Sequence, residues 1–289
     1  QKKNSPFLLV LAHYAVHTPI EAPEPLVEKY EKMIAENGIM DGGRRSDADV
    51  VVDNTGQVKT VQNNPTYAAM VEHTDEAVGK IIDKLKKKGL YDNTIILFSS
   101  DNGGLIGKSK NPVTSNKPLK NGKGDIYEGG VRIPTIIYSP KHQFKNKEVD
   151  EPIISMDYYP NLMDLAGLYN TKVKSQTIDG KSLLSLMEGN EEEHRDAIYW
   201  HYPHYHGSAW TPGSAIRQND WKLIEFHETG VTELYNLSDD LSEQTDLSPQ
   251  YPEKVSELTK LLRKLKQSTS AEDATENPDY IRMNKRVSE

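Results

Sequence analysis

Apolar residues up to about residue 190 fall into two patterns, short unbroken runs and longer stretches with helical spacing. The unbroken runs at 7–12, 94–100 and 135–138 predict buried β-strands. Helical spacing of apolar positions predicts amphipathic helices over 65–88 and 157–168. Because helices and strands alternate along the chain, the pattern favours an α/β sheet that is covered by helices on both faces.

After about residue 190 the pattern changes to short segments in which apolar and polar residues partly alternate. The segments AIYWHY, GSAIRQ, WKLIEF and VTELYNL are separated by turn residues, which predicts an antiparallel meander. Helical spacing then predicts a packing helix around 255–265, before a polar tail. The sequence therefore predicts two domains, an α/β domain over 1–190 and an α+β subdomain over 191–289.

Two weaker signals lie before the long helix of the first domain. Residues 25–36 have the composition of a short helix that Gly38 closes. Residues 50–52 and 58–61 are rich in valine and flank the turn sequence DNTG, which predicts a β-hairpin.

Composition narrows the range of functions. The chain has 289 residues, a formal net charge of −8 and no cysteine. The negative charge argues against a nucleic-acid groove, and the lack of cysteine excludes disulfide and thiolate chemistry. No run approaches the roughly 18 apolar residues of a membrane-spanning helix. Since the chain shows neither an initiator Met nor a signal peptide, we expect that it begins within a longer protein.

The strand predicted at 94–100 runs directly into Asp101, Asn102 and two glycines. Ligands of open α/β sheets bind beyond the carboxyl ends of the strands. Carboxylate and amide oxygens at such a position are ligands for Ca²⁺ or Mg²⁺. Taken alone, however, the letters DNGG are more typical of an ordinary turn.

Two further residues are candidates for contact with an anion. Lys123 lies between Gly122 and Gly124, where the backbone can approach sulfate or phosphate closely, although the sequence is not a Walker loop. His17 follows the first apolar run and is suited to donating a hydrogen bond or acting as a general acid, with His13 as its competitor. A solvated loop lysine and a structural histidine are the plainer interpretations.

The segment WHYPHYHGSAW gathers imidazole and aromatic side chains at the start of the subdomain. Alternate side chains of a strand point to opposite faces, so its three histidines are poorly placed to share one metal ion. A rim that faces carbohydrate and a surface turn with incidental aromatics stay equally open. Arg217 fits either a structural role or contact with a substrate carboxylate. The candidate substrate-binding residues are His201, His204, His206 and Arg217.

In this order, these segments resemble the C-terminal part of a type I sulfatase, a formylglycine-dependent family of the alkaline-phosphatase-like superfamily. The framework of that family is matched by AVHTP, YAAMVEHTDEAVGKIIDKLKKKGLYDNTIILFSSDNGG, GKGDIYEGGVRIP and SMDYYPNLMDLAGL. Its C-terminal subdomain is matched by GSAIRQNDWKLIEF and ELYNLSDDLSEQTDL. The resemblance implies an alkaline-phosphatase-like sheet flanked by helices, incomplete in this chain, and a C-terminal α+β subdomain with a small antiparallel sheet.

The resemblance also implies roles for individual residues. Asp101 and Asn102 match half of the family's metal site, which usually holds Ca²⁺, with Mg²⁺ as the other candidate. Lys123 matches the lysine that contacts the substrate sulfate. His17 matches the histidine near the sulfate and the bridging oxygen, where it assists the leaving alcohol.

One part of the family's machinery has no counterpart in this sequence. The family's nucleophile is a formylglycine hydrate made from a Cys-x-Pro-x-Arg or Ser-x-Pro-x-Arg motif, in which one hydroxyl attacks sulfur and the other is later deprotonated to eliminate sulfate. This chain contains neither motif and no credible pair of aspartates to complete the metal site. We therefore expect an N-terminal sulfatase part, as a separate chain or a missing segment, and no activity without it.

These observations predict a sulfatase that acts on a sulfated carbohydrate, in the periplasm or outside the cell as the family implies. They predict no nucleic-acid partner and no membrane span. A phosphate or phosphonate ester hydrolase of the same superfamily is the alternative, because Asp, Asn, Lys and His side chains suit either anion. A third hypothesis is a pseudoenzyme that binds anions without catalysis.

Overall fold

Most of the predicted helices and strands are present in the computed structural model. It describes residues 5–37, 50–53, 56–59, 61–106, 113–142, 144, 148–168, 177–190, 195–207, 210–275 and 277. Two compact units are distinguished, the first containing residues 1–96 and 104–115 and the second containing 97–103 and 116–289. The predicted domain boundary at residue 190 stays a prediction.

The first unit contains a pair of helices and a hairpin. Asn64 caps the second helix, since its side-chain oxygen accepts a hydrogen bond from the Tyr67 amide at 2.9 Å. Lys29 and Glu72 join the two helices through a 2.6 Å ion pair. The hairpin is antiparallel, as the sequence predicts. The elements are α1 (Glu24–Glu36), β1 (Val50–Asp53), β2 (Gly56–Lys59) and α2 (Pro65–Lys87).

The prediction of a buried β-strand at residues 7–12 is wrong. These residues have no regular secondary structure and are exposed, Leu8 and Val10 by 83% each. A strand needs neighbours that satisfy its backbone N–H and C=O groups. None of the sheets formed by the described residues includes this segment.

Strands β3 (Ile96–Ser99) and β4 (Thr135–Tyr138) pair in a two-stranded sheet, which agrees with the runs predicted at 94–100 and 135–138. The Ser99 hydroxyl lies 2.8 Å from the Tyr158 hydroxyl, which links this sheet to the helix predicted over 157–168. The prediction that both strands are buried is only partly met, because Ile136 is 62% exposed and Phe98 is 39% exposed. The exposed apolar side chains lack a covering layer among the described residues.

The predicted meander is confirmed as a four-stranded antiparallel sheet in the order β5-β6-β7-β8. The strands are β5 (Ile198–Tyr202), β6 (Gly213–Gln218), β7 (Trp221–Phe226) and β8 (Thr232–Asn236), and the predicted packing helix is α6 (Pro252–Ser268). One face carries Ile216, Leu223 and Leu234 against Leu258 and Leu262 of α6, and all five are fully buried.

The opposite face of this sheet carries a second apolar cluster. Here Ala215, Ile224 and Tyr235 pack against Ile126 and Tyr127, which precede the short helix α3 (Glu128–Val131). Alternating residues of the same strands therefore bury α6 on one side and the 126–127 segment on the other. The sheet thus supports the segment that carries Lys123.

The remaining helices of the second unit are α4 (Tyr158–Leu165) and α5 (Leu184–Glu188). Short 3₁₀ turns occur at Tyr91–Asn93 and Ser155–Asp157. Among the described residues, helices long and apolar enough to cross a bilayer do not occur.

Candidate functional site

The turn after β3, residues 100–103, holds itself in shape and is termed the DN turn. The Asp101 Oδ1 atom accepts a hydrogen bond from the Asn102 amide at 3.0 Å, and the Ser100 hydroxyl donates to the Asn102 carbonyl at 3.0 Å. The Asn102 side-chain amide donates to the Gly103 carbonyl at 2.9 Å. These bonds fix both side chains and leave oxygen lone pairs on Asp101 and Asn102 for a ligand.

Gly103 brings the DN turn against the lysine loop, defined as residues 120–130. The Gly103 amide donates to the Gly130 carbonyl at 2.9 Å. A Cβ atom on Gly103 would lie 1.8 Å from the Gly129 carbonyl oxygen. Within the loop, Cβ atoms on Gly129 and Gly130 would lie 2.2 Å and 2.3 Å from the carbonyl oxygens of Asn121 and Asp125. Glycine therefore permits the close approach of the two segments at residue 103 and the tight backbone of the loop at residues 129 and 130.

We expect Gly103→Ala to lower the free energy of unfolding by about 1–3 kcal/mol, because the new methyl group meets backbone that cannot rotate away. The matched control is Gly79→Ala within α2, where an added Cβ has nothing within 4 Å. That change should stabilise the protein by about 0.5–1 kcal/mol. Urea denaturation of both variants measures the difference, and equal midpoints would contradict the tight contact.

Lys123 occupies a turn at the tip of the lysine loop. Its side chain is partly exposed, and it has no hydrogen-bond or ion-pair partner among the described residues. The following residue, Gly124, has a backbone φ of +94°, a conformation that residues other than glycine rarely adopt. The Asn116 side-chain amide donates to the carbonyls of Asn121 at 3.0 Å and Gly129 at 3.2 Å, which ties the two arms of the loop together.

Lys120, in contrast, anchors the lysine loop to the C-terminal sheet. Its ammonium group donates to the Glu243 carbonyl at 3.0 Å and to the Tyr235 hydroxyl at 3.3 Å. It also lies 4.1 Å from the centroid of the Tyr127 ring, a cation–π distance. The two lysines of this loop therefore differ, since Lys120 is bound to the C-terminal sheet and Lys123 has no such contact among the described residues.

A buried cluster of charged side chains lies beneath the lysine loop, and the sequence does not predict it. The fully buried Lys222 ammonium lies 2.9 Å from carboxylate oxygens of both Glu128 and Glu243. The Glu128 amide donates to Glu243 at 2.7 Å. A lysine in an alternating strand normally faces water, so the sequence alone gives no sign that Lys222 is buried.

The two carboxylates of this cluster differ in pKa. Burial would raise the pKa of Glu128, but Lys222, Arg217 and Arg132 outweigh burial and lower it. Burial raises the pKa of Glu243, and Lys222 offsets only part of that effect. The ionised Glu128 is therefore the main partner of the cations, with Arg217 at 3.8 Å.

A cavity of about 1420 Å³ in the second unit opens beside the DN turn. Its wall includes Asp101 and Asn102, the lysine-loop residue Gly124, and His201 and Arg217 of the C-terminal sheet. The structure therefore brings four of the predicted site residues to one cavity, next to the turn that carries Lys123.

The other predicted residues lie elsewhere. His17 belongs to the first unit, where it is exposed and its Nδ1 atom lies 3.0 Å from the Thr18 carbonyl. His204 and His206 flank the Tyr202 ring, with centroids 5.6 Å and 6.2 Å away, and neither belongs to the described cavity wall. The roles of all eight candidate residues stay predictions.

Comparison with known proteins places these observations in a family. The family model "Sulfatase" matches residues 1–168, and the model "N-sulphoglucosamine sulphohydrolase, C-terminal" matches residues 122–269. A "Sulfatase" of Formosa agariphila is 33% identical over 87% of this chain and 43% of its own length. Arylsulfatase J of Mus musculus is 30% identical over 91% of this chain and 45% of its own length. The chain thus spans somewhat less than half the length of these relatives.

Solved structures show the same relationship. The complex of Ps i-CgsB with k-i-k-neocarrahexaose has a TM-score of 0.69 and 32% identity, covering 91% of this chain and 51% of that one. A protein in complex with its substrate D-glucosamine-2-N,6-O-disulfate has a TM-score of 0.56 and 29% identity, covering 72% and 41%. The phosphonate monoester hydrolase of Agrobacterium radiobacter has a TM-score of 0.56 and 26% identity, covering 71% and 41%.

The predicted fold class is confirmed, since these neighbours share the alkaline-phosphatase-like architecture and the chain adds small antiparallel sheets. Both the family models and the relatives align this chain mainly with the C-terminal part of longer proteins. This chain belongs to the sulfatase family.

Proposed function

We infer that this chain forms the C-terminal part of a sulfuric ester hydrolase that acts on a sulfated carbohydrate. The observation that carries the proposal is the backbone contact between the DN turn and the lysine loop, beside a cavity that is lined by Asp101, Asn102 and Gly124, the residue after Lys123. A cation site next to a positive side chain suits a sulfate group, whose oxygens accept charge-assisted hydrogen bonds.

The residues of the DN turn fit half of a calcium site. Asp101 offers a carboxylate and Asn102 an amide oxygen, whereas Ca²⁺ takes six to eight oxygen ligands. A bound Ca²⁺ would supply positive charge opposite the sulfate oxygens. The remaining ligands and the formylglycine nucleophile would come from an N-terminal sulfatase part, since this chain has no cysteine and no Ser-x-Pro-x-Arg.

Four of the other candidate residues receive a role in this proposal, whereas His204 and His206, which lie outside the described cavity wall, receive none. Lys123 binds the sulfate, and His17 assists the leaving alcohol. His201 and Arg217, on the cavity wall, contact the carbohydrate, while Arg217 also pairs with Glu128. The sugar-bound structures among the neighbours support a carbohydrate substrate. We also propose a periplasmic or extracellular location, which the sulfatase family implies.

Lys123→Ala should lower turnover of a sulfated sugar by about 10²–10³-fold in the enzyme completed with its N-terminal part, because one preorganised donor to the anion is lost. Thermal stability should stay unchanged, since Lys123 has no partner among the described residues. Lys120→Ala is the matched control, and it should lower stability because its ammonium anchors the loop. Wild-type turnover in the Lys123 variant would remove this residue from the site.

A phosphate or phosphonate ester hydrolase is the second candidate function, because the phosphonate monoester hydrolase shares the fold at 26% identity. The two candidate functions are distinguished by measuring turnover of a sulfate monoester and a phosphonate monoester of the same alcohol in competition. The proposal predicts faster turnover of the sulfate ester, and the reverse preference would support the second candidate. Turnover of neither ester by the completed enzyme would indicate a binding protein without catalysis.

A further inference from the structure

Two histidines and an aspartate from three separate parts of the C-terminal subdomain come together. His201 lies on β5, His227 follows β7, and Asp273 follows α6. One possible ligand atom from each lies within 4.8 Å of the other two. We propose that these three side chains form a binding site for a divalent transition metal ion of the zinc class.

A buried serine orients both imidazoles. The Ser214 hydroxyl lies 2.8 Å from His201 Nδ1 and 2.9 Å from His227 Nε2, and Ser214 is fully buried on β6. Each ring therefore uses one nitrogen for Ser214 and keeps the other. Metal-binding histidines are commonly held in this way, by a hydrogen bond to the nitrogen that does not contact the metal.

The two remaining ring nitrogens differ in their surroundings. His227 Nδ1 is buried and has no hydrogen-bond partner among the described residues. His201 Nε2 lies 3.8 Å from the Asp273 carboxylate and 2.7 Å from the Glu272 carbonyl. Two ligands of a tetrahedral zinc ion with bonds of about 2.0 Å lie about 3.3 Å apart. Metal binding therefore requires His201 Nε2 to exchange the Glu272 carbonyl for the ion and to come closer to Asp273, which is exposed.

One positive charge competes with a metal ion for the cluster. Lys266 forms an ion pair with Asp273, so a metal ion must displace the Lys266 ammonium from this carboxylate.

The ligand set indicates the class of metal. Two imidazoles and one carboxylate suit zinc, whereas calcium and magnesium prefer oxygen ligands throughout. Three protein ligands leave a fourth position for water or a substrate group. Of the three ligands, His201 also belongs to the wall of the cavity described above, whereas His227 and Asp273 do not. Because the test below measures metal binding and not turnover, its failure is distinguishable from a failure of the proposed function.

The test measures metal binding by the full 289-residue chain after a chelator has removed bound metal. Calorimetry measures the binding of Zn²⁺ alone, and visible absorption measures the binding of Co²⁺ at the same site. We expect one equivalent to bind tightly in the wild-type chain. Asp273→Asn, which changes an exposed side chain and leaves the fold intact, should weaken binding by about 100-fold, and Ser214→Ala by about 10–100-fold. Lys266→Met should strengthen binding by about tenfold, because the competing ammonium is removed.

His204→Ala is the matched control, since this histidine lies in the same segment but outside the cluster. It should bind Zn²⁺ as the wild type does. The proposal is overturned if the wild-type chain binds no stoichiometric Zn²⁺. It is also overturned if Asp273→Asn and His204→Ala have equal affinities.

Discussion

Asp101→Ala should lower turnover by about 10³-fold in the enzyme completed with its N-terminal sulfatase part. The change removes the only negatively charged ligand that the DN turn would offer to the proposed Ca²⁺, and a metal ion at the reacting group stabilises the transition state by several kcal/mol. Calcium affinity measured by calorimetry should fall together with turnover. Added calcium should not restore activity at concentrations that saturate the wild type.

Folding should be almost unchanged in this variant. Asp101 is exposed, and the hydrogen bonds that its carboxylate accepts come from its neighbours Asn102 and Ser100. Thermal unfolding in the presence of a chelator should therefore match the wild type. Asp92→Ala is the control, since this aspartate is exposed at the other end of the same strand segment. Turnover of the Asp101 variant at the wild-type rate would show that the DNGG motif is only a turn.

Lys222→Ala should lower the free energy of unfolding by about 3–5 kcal/mol. Its ammonium group is fully buried between Glu128 and Glu243, so its removal leaves two buried carboxylates without their shared cation. The pKa of the ionised Glu128 should rise as a result, because its main opposite charge is lost. Chemical denaturation at pH 7 measures the loss of stability.

Lys260→Ala on α6 is the control for the buried lysine, because its side chain is exposed and the change should stay within about 0.5 kcal/mol. A double variant adds a second test. Lys222→Met combined with Glu128→Gln should be less destabilised than the sum of the single changes, since both partners of one ion pair are then neutral. Strict additivity would contradict a coupled cluster beneath the lysine loop.

The sequence predicts those elements whose signals are local. The helix predicted over 65–88 is observed as Pro65–Lys87, with Asn64 as its cap, because apolar spacing and capping both lie within the segment. The strand predicted at 135–138 has the same bounds in the structure. The meander is found because alternation and turn residues coincide in each of its segments.

The failures involve contacts with distant residues. Apolar composition predicts a strand at 7–12, yet pairing requires neighbours that the described residues do not supply. The burial of Lys222 depends on Glu128 and Glu243, which are far apart in sequence. The zinc-class cluster likewise needs His227 and Asp273, neither of which has a local motif.

The candidate site shows the same division. Asp101, Asn102 and Lys123 are identified from their glycine-rich surroundings and from the order of motifs along the chain. The contact of Gly103 with the Gly129–Gly130 backbone, which joins the DN turn to the lysine loop, becomes visible only in three dimensions. The sequence can therefore name the residues, whereas the structure shows that the two segments that carry them are in contact.

The most direct test of the account measures sulfate release from a sulfated oligosaccharide by this chain alone and by this chain joined to an N-terminal sulfatase part that bears Cys-x-Pro-x-Arg or Ser-x-Pro-x-Arg. The account predicts no release by the chain alone, since it has neither motif, and turnover by the joined protein that Asp101→Ala removes. Sulfate release by the chain alone, or a joined protein whose turnover is indifferent to Asp101, would contradict it.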